Sequence, residues 1–167
     1  NPKRSKICIV PEYSKIIELP KLEADDCIAL YINHLVETES KDEYNIKVIT
    51  GDMDYLQLIK NEKIDIINAA LTPLKTPKNS YNDYKKDLLM KIIIGDKSDN
   101  IEPILKGCGK KTAEKIINDE TNKELEKILE NENVRENYLV NKRLIDFDEI
   151  PEELKDEFKR KYIIDKL

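Results

Sequence analysis

Apolar residues in the first half of the chain occur in short runs that alternate with stretches of helical spacing. The runs have strand length and lie at 15–19, 46–50 and 64–69. Helical spacing is found at 23–38 and, in a shorter amphipathic stretch, at 53–60. The order strand, helix, strand, helix, strand predicts a parallel sheet with right-handed crossovers.

The second half of the chain has only helical periodicity. A connector with two prolines at 73–79 precedes it, and residues 95–109 are rich in turn formers. The predicted helices are 81–94, 110–118, 121–131, 133–145 and 151–164. We therefore predict an α/β protein whose second part is helical, divided into a partial α/β core at 1–78, a helical hairpin region at 79–120 and supporting helices at 121–167.

Seven carboxylates fall into three clusters along this pattern. Glu23, Asp25 and Asp26 follow the first apolar run, Asp52 and Asp54 follow the second, and Asp96 and Asp99 follow the helix at 81–94. Each cluster alone has a structural explanation, because acidic residues favour the first turn of a helix and aspartates favour turns. In an open parallel sheet, however, binding sites form outside the carboxyl ends of the strands, which would make the first two clusters neighbours.

Carboxylates brought together in this way need cations. Two like charges about 4 Å apart repel by roughly 4 kcal/mol at an effective dielectric constant of about 20. A site with oxygen ligands alone suits Mg²⁺ or Mn²⁺, and two such ions about 4 Å apart can clamp both oxygens of a phosphoryl displacement. The clusters therefore predict a two-ion site.

The charge distribution agrees with a polyanionic substrate despite a net charge of −5. Residues 119–167 carry 15 acidic and 10 basic side chains and account for the whole deficit. Residues 1–118 carry 19 of each, and setting aside the seven carboxylates leaves a surplus of +7 there.

The segment 107–117 can hold a phosphate backbone. Its two glycines allow close approach, and the first turn of the following helix exposes N–H groups. No side chain here is suited to reading bases, so contacts would be independent of sequence. The alternative is a glycine-hinged helical hairpin with solvated lysines. The candidate DNA-binding residues are Lys106, Gly107, Gly109, Lys110, Lys111, Thr112 and Lys115, with Lys85, Lys86 and Lys91 as a possible extension of the basic track.

Composition narrows the class of protein. No apolar stretch is long enough to span a membrane, and no signal peptide is recognisable, so we expect an intracellular protein without a membrane partner. Cys8, Cys27 and Cys108 have no zinc-like spacing and are expected as reduced thiols. His34 is the only histidine, which excludes chemistry that needs a histidine cluster.

Four motifs together resemble the 5′-nuclease family, which includes flap endonucleases, phage 5′-3′ exonucleases and the 5′-nuclease domain of bacterial DNA polymerase I. The motifs are LEADD at 22–26, ITGDMDYLQL at 49–58, IIIGDKSDNI at 92–101 and GCGKKTAEKII at 107–117. The resemblance implies a PIN-like parallel-sheet nuclease core followed by a helix–three-turn–helix region that grips duplex DNA. It also implies Mg²⁺-dependent cleavage at 5′ ends, flaps or junctions in replication or repair.

By motif position, the resemblance implies that all seven carboxylates are metal ligands, direct or through water. It makes Lys110, Lys111 and the amides near Gly107 and Gly109 the contacts to duplex phosphates. Members of the family often hold K⁺ through hairpin carbonyls, for which Ile101 and Cys108 are the candidates here.

At the amino terminus this sequence differs from the pattern of the family. Members of the family begin with a strand bearing a further metal-binding aspartate, then carry another aspartate and a helical arch with basic residues, and these have no counterpart in this sequence. We expect either a fragment or a protein completed by another chain, whose polymerase or clamp partners are unknown. Two alternatives remain: a non-catalytic duplex-binding remnant and an RNA-cutting nuclease of the PIN type.

Overall fold

Two parallel strands form the sheet at the centre of the α/β part. In a computed structural model of the chain, residues 15–38, 45–60, 63–76 and 80–163 are described. Strand β1 (Ile46–Ile49) pairs with β2 (Ile64–Ile67), so that Ile46 lies opposite Ile64 and Ile49 opposite Ile67. Both strands alternate, with one face buried and the other exposed. The predicted α/β class with a parallel pairing is confirmed.

Helices make up the rest of the described chain. Within these ranges they are α1 (Ala24–Thr38), a 3₁₀ helix at Met53–Lys60, α2 (Tyr84–Ile94), α3 (Lys110–Ile117), α4 (Lys123–Leu129), α5 (Glu132–Ile145), a 3₁₀ turn at Phe147–Glu149 and α6 (Glu152–Tyr162). Helix α2 begins three residues later than its apolar pattern predicts, because Asn82 is left-handed and Asp83 caps the N–H groups of Lys85 and Lys86. None of these helices has the length and apolarity needed to cross a bilayer.

The predicted strand at 15–19 is wrong. Among the described residues it pairs with no strand, and its polar groups bond instead to the end of α6. The backbone N–H of Glu18 donates to the Tyr162 hydroxyl at 2.9 Å, and the Lys15 ammonium donates to the Tyr162 carbonyl at 3.0 Å. Leu19 is buried beside Cys27 and Phe158, so this segment is packed by a distant helix rather than by the sheet.

Two apolar clusters larger than the one around Leu19 form the core of the described residues. One joins α1, both strands and the Met53–Lys60 helix to Phe147 and Ile150, and the other joins α2, α3 and α5 around Ile93 and Ile104. Buried Gln57 connects the first cluster to the end of α5: its amide donates to the Ile145 carbonyl at 2.8 Å and accepts from the Phe147 N–H at 3.1 Å. The proposed domain divisions at residues 78 and 120 stay predictions.

Candidate metal centre and nucleic-acid interface

Five of the predicted carboxylates converge on one place in the fold. Asp25, Asp52 and Asp54 each offer an oxygen within 4.8 Å of the others, and Asp54, Asp96 and Asp99 do the same. We call these the first and second carboxylate groups. Asp54 belongs to both, so the two groups are adjacent, which is the arrangement that a pair of bridged cations requires.

The first turn of α1 and the loop after β1 place the first group. Asp25 lies in the first turn of α1, and Asp52 follows β1 at its carboxyl end. The N–H of Asp54 donates to Asp52 Oδ1 at 2.9 Å, and the N–H of Asp52 donates to the Thr50 hydroxyl at 3.0 Å. These bonds hold both aspartates at the start of the Met53–Lys60 helix.

A tight turn after α2 places Asp96 in the second group. Gly95 ends the helix with a φ of +70°, and Asp96 forms a two-way backbone bridge with Ile101. Asp96 Oδ1 accepts from the Ser98 N–H at 2.8 Å and from the Ser98 hydroxyl. The Lys91 ammonium, followed by the Ser98 hydroxyl, lowers the pKa of Asp96 to about 2, so this carboxylate is ionised at neutral pH.

Lys91 lies among the carboxylates and also lines the cleft that leads to the hairpin. Its Nζ is 2.7 Å from Asp96 Oδ2 and also contacts Asp54 Oδ1. The suggested extension of the basic track to Lys91 stays a prediction, because in this structure its ammonium contacts carboxylates. Helical periodicity placed Lys91 on α2 but carried no information about which loops its side chain would meet.

Glu23 and Asp26 lie outside both carboxylate groups. Asp26 Oδ2 accepts the backbone N–H of Glu23 at 3.0 Å, a bond that closes the first turn of α1. Burial raises the pKa of Asp26, while that bond lowers it. The carboxylate of Asp26 thus has a helix-starting role in the structure, and its role as a metal ligand, like that of Glu23, stays a prediction.

The donor chemistry of the two groups fits Mg²⁺ or Mn²⁺. All five side chains are carboxylates, and no histidine or cysteine belongs to either group. Hard divalent cations prefer such oxygen ligands. The residues fit a pair of cations, and the particular ion is left to the proposal below.

The hairpin presents its glycines and lysines to solvent. Lys106, Gly107, Gly109 and the α3 residues Lys110, Lys111, Thr112 and Lys115 are all exposed. Gly109 precedes α3, and no side-chain hydrogen bond caps the start of this helix. On the inner side of α3, Glu114 accepts a hydrogen bond from the Tyr81 hydroxyl at 3.1 Å. Burial and then this bond raise the pKa of Tyr81 to about 12.

One cleft connects the hairpin to the carboxylates. It has a volume of about 1300 Å³ and is lined at one end by Asp52, Asp54, Asp96 and Asp99 and at the other by Gly107, Gly109, Lys110 and Glu114. A phosphate backbone bound at the hairpin therefore has a continuous path to the carboxylate groups.

The K⁺ candidates occupy different settings. The Ile101 carbonyl accepts the Asp96 N–H at 2.9 Å, while Cys108 is buried in the α2–α3 cluster. Their role toward K⁺ stays a prediction. Burial raises the pKa of the Cys108 and Cys27 thiols, and neither is bridged; Cys8 lies outside the described residues.

Asn141 is a positioning residue that the sequence patterns missed. It is buried on α5, and its amide donates to the carbonyls of Ile92 at 2.9 Å and Glu102 at 2.8 Å. These two carbonyls flank Gly95 and Asp96, so Asn141 fastens both sides of the turn that carries the second group. A polar residue on an otherwise amphipathic helix gives no sequence signal of such a contact.

Comparison with known proteins finds related sequences over most of the chain. The family described as the N-terminal resolvase-like domain of 5′-3′ exonucleases matches residues 11–91. DNA polymerase I of Caldicellulosiruptor bescii is 34% identical over 125 residues, which is 70% of this chain and 14% of that protein. A 5′-3′ exonuclease of Aquifex aeolicus is 31% identical over 126 residues, which is 70% of this chain and 42% of that protein. The chain thus spans less than half the length of these relatives.

Solved structures share the fold. A mutant of the T5 5′-exonuclease superposes with a TM-score of 0.63 at 23% identity, covering 86% of this chain and 66% of that one. A bacteriophage T5 flap endonuclease, solved as a pseudo-enzyme-product complex with DNA and metal ions, gives a TM-score of 0.60 at 20% identity, covering 81% and 57%. The structural matches show the shared fold, and the sequence matches support membership of the 5′-nuclease family.

Proposed function

We propose that this chain forms part of a divalent-metal-dependent nuclease that hydrolyses DNA phosphodiester bonds at 5′ ends, flaps or junctions during replication or repair. The observation that carries the proposal is the shared position of Asp54 in two carboxylate groups at one end of the cleft. A protein that only bound DNA would gain nothing from so many negative charges facing a polyanion.

Each of the two carboxylate groups would bind one cation. Asp25 and Asp52 with Asp54 would hold one ion, and Asp54 with Asp96 and Asp99 the other. Bound Mg²⁺ or Mn²⁺ would supply an activated water and neutralise charge on the phosphate. Asp54 is the residue on which both positions depend, because it contributes to each group.

The hairpin supplies the grip on the substrate. Exposed Lys110 and Lys111 and the uncapped first turn of α3 suit phosphate oxygens, and phosphate contacts position a duplex without reading its sequence. The T5 flap endonuclease complex, which contains both DNA and metal ions, supports the pairing of these two functions in one fold.

Cleavage of a 5′-labelled flap duplex tests the proposal. The chain is incubated with Mg²⁺ or with Ca²⁺, and the products are separated on a denaturing gel. Ca²⁺ binds oxygen ligands at longer distances and with less regular geometry than Mg²⁺. Asp54→Asn should lower the rate by about 100-fold or more, since several kcal/mol of charge stabilisation is lost. Asp156→Asn, which changes an exposed carboxylate on α6, should cleave like the wild type.

Short labelled products that vanish with Asp54→Asn would support the nuclease. Equal cleavage by wild type and Asp54→Asn would contradict it. An intact flap with a salt-sensitive gel shift would favour the duplex-binding alternative for these residues, and preferential cleavage of an RNA duplex in competition would favour the RNA-cutting alternative.

A further inference from the structure

The ammonium group of Lys91 lies where the second carboxylate group would hold its cation. We infer that Lys91 competes with a divalent cation for Asp54 and Asp96, so that this group is held by an internal cation until an ion displaces it. The inference rests on the proposed function, because it takes Asp54, Asp96 and Asp99 as a cation site.

The contacts of Lys91 are with the carboxylate oxygens themselves. Its Nζ is 2.7 Å from Asp96 Oδ2 and in direct contact with Asp54 Oδ1. Asp54 Oδ1 is shielded from solvent, and apart from its contact with the Lys91 ammonium it has no hydrogen-bond donor among the described residues. The side chains of Lys91, Asp54 and Asp96 are only 20%, 12% and 18% exposed, so solvent screens this arrangement weakly.

Without an ion, Lys91 offsets the repulsion between carboxylates. Asp54 and Asp96 belong to different segments of the chain, and the fold brings their oxygens within 4.8 Å of each other. An unpaired cluster of this kind would destabilise the fold. The ammonium group between the two aspartates therefore stabilises the protein when no metal is bound.

With an ion present, the same contacts become an obstacle. A divalent cation needs the oxygens of Asp54 and Asp96 that Lys91 occupies. Lys91 also lines the large cleft, and its flexible four-carbon stem starts in the last turn of α2. Its head group can therefore leave the aspartates for the cleft when an ion arrives.

Competition makes Lys91 act in opposite directions with and without metal. If the second group were free of the ammonium in only about a tenth of molecules, its apparent affinity for metal would be about tenfold weaker. Lys91→Met keeps the length of the apolar stem and removes the charge. We expect it to bind Mn²⁺ about tenfold more tightly and to melt at a lower temperature in EDTA.

Calorimetric titration with Mn²⁺ in the absence of DNA, paired with thermal denaturation with and without Mn²⁺, tests the inference without any activity measurement. Lys97→Met is the matched control: Lys97 is exposed, lines the same cleft and forms no ion pair within the described residues. Lys91→Arg retains the charge at the same position and should stay close to the wild type in Mn²⁺ affinity.

Tighter Mn²⁺ binding by Lys91→Met together with a lower melting temperature in EDTA, and only a small shift for Lys97→Met, would establish the competition. Unchanged or weaker Mn²⁺ binding by Lys91→Met would overturn it, as would equal gains from Lys97→Met, which would reduce the effect to general electrostatics. The proposed function fails separately: in that case Asp54→Asn and the wild type would bind Mn²⁺ equally.

Discussion

At the scale of single residues, the turn after α2 depends on Gly95. Its φ of +70° lies in the region that favours glycine, and a Cβ built there would lie 2.2 Å from the Ile101 carbonyl oxygen and 2.7 Å from the carbonyl carbon of Glu102. Both obstacles are backbone atoms and cannot rotate away. The same turn carries Asp96, so the position of a candidate metal ligand rests on the absence of a side chain next to it.

Replacing Gly95 by alanine should therefore lower the free energy of unfolding by more than the cost of a positive φ alone. Gly107→Ala is the control, because Gly107 also has a positive φ, of +77°, but nothing lies within 4 Å of its Cβ position. We expect Gly95→Ala to lower the free energy of unfolding by about 3 kcal/mol or more and Gly107→Ala by about 1 kcal/mol. Urea denaturation measures both, and equal losses would contradict this account.

Residue types and spacing predicted the carboxylates but not the lysine whose ammonium contacts them. Asp52 and Asp54 follow an apolar run of strand length, and Asp96 and Asp99 lie between glycines, so their place at loop positions could be predicted from the local pattern. Lys91 could not, because the contact of its ammonium with Asp54 depends on how α2 crosses the Met53–Lys60 helix. No local pattern encodes that packing.

At the scale of elements, α5 holds the turn after α2 through one buried and one exposed asparagine. Asn141 donates to two carbonyls that flank it, and Asn137 donates to the Ile104 carbonyl at 3.3 Å. Removing the Asn141 amide leaves the carbonyls of Ile92 and Glu102 without that donor in a low-dielectric interior. The helix thus acts as a clamp on α2 and on the loop after Gly95.

Asn141→Ala should lower the free energy of unfolding by about 2 kcal/mol, because buried acceptors lose their partner. Asn133→Ala, at an exposed position of the same helix, should change it by less than about 0.5 kcal/mol. Denaturant unfolding of both variants provides the comparison. Equal losses in the two variants would show that the hydrogen bonds of Asn141 do not stabilise the fold.

The contact between Tyr81 and α3 has a pH signature. Because the pKa of Tyr81 is raised to about 12 in the folded state, mainly by burial, its contribution to stability is present below pH 10 and is lost as the pH rises toward 12. Tyr81→Phe has no proton to lose, so its stability should fall less steeply over this range than that of the wild type. Denaturant unfolding at pH 9 to 11 measures the two slopes, and parallel slopes would argue against the assignment.

Helices and strands could be predicted where the spacing of apolar residues along the chain was enough to determine them. The strands at 46–50 and 64–69 appear as β1 and β2, each shortened at its end, and the helix at 133–145 appears almost unchanged. The run at 15–19 was equally apolar, yet tertiary contacts with Tyr162 and Phe158 decided its conformation. A short apolar run does not specify whether a strand or a distant helix will cover it.

At the scale of the whole molecule, one cleft aligns a basic hairpin with an acidic centre. This arrangement reconciles a net charge of −5 with a nucleic-acid substrate, since the whole surplus of acid lies at residues 119–167 and cations would neutralise the candidate metal ligands. Local charge at the hairpin, rather than the average over the chain, should therefore control DNA binding.

The salt dependence of duplex binding checks this point. If Lys111 contacts a phosphate, Lys111→Met should reduce the slope of log affinity against log salt by about 0.9. Lys127→Met, on an exposed position of α4, should leave the slope unchanged. Fluorescence anisotropy over a series of salt concentrations measures both slopes. A hairpin that merely exposes solvated lysines would give the same slope for both variants.

Anomalous diffraction from crystals soaked in Mn²⁺ tests the central claim most directly. The carboxylate groups that share Asp54 predict two adjacent peaks, one beside Asp25 and Asp52 and the other beside Asp96 and Asp99, with the Lys91 ammonium displaced from the second. No peak within coordination reach of Asp54 at saturating Mn²⁺ would contradict the account.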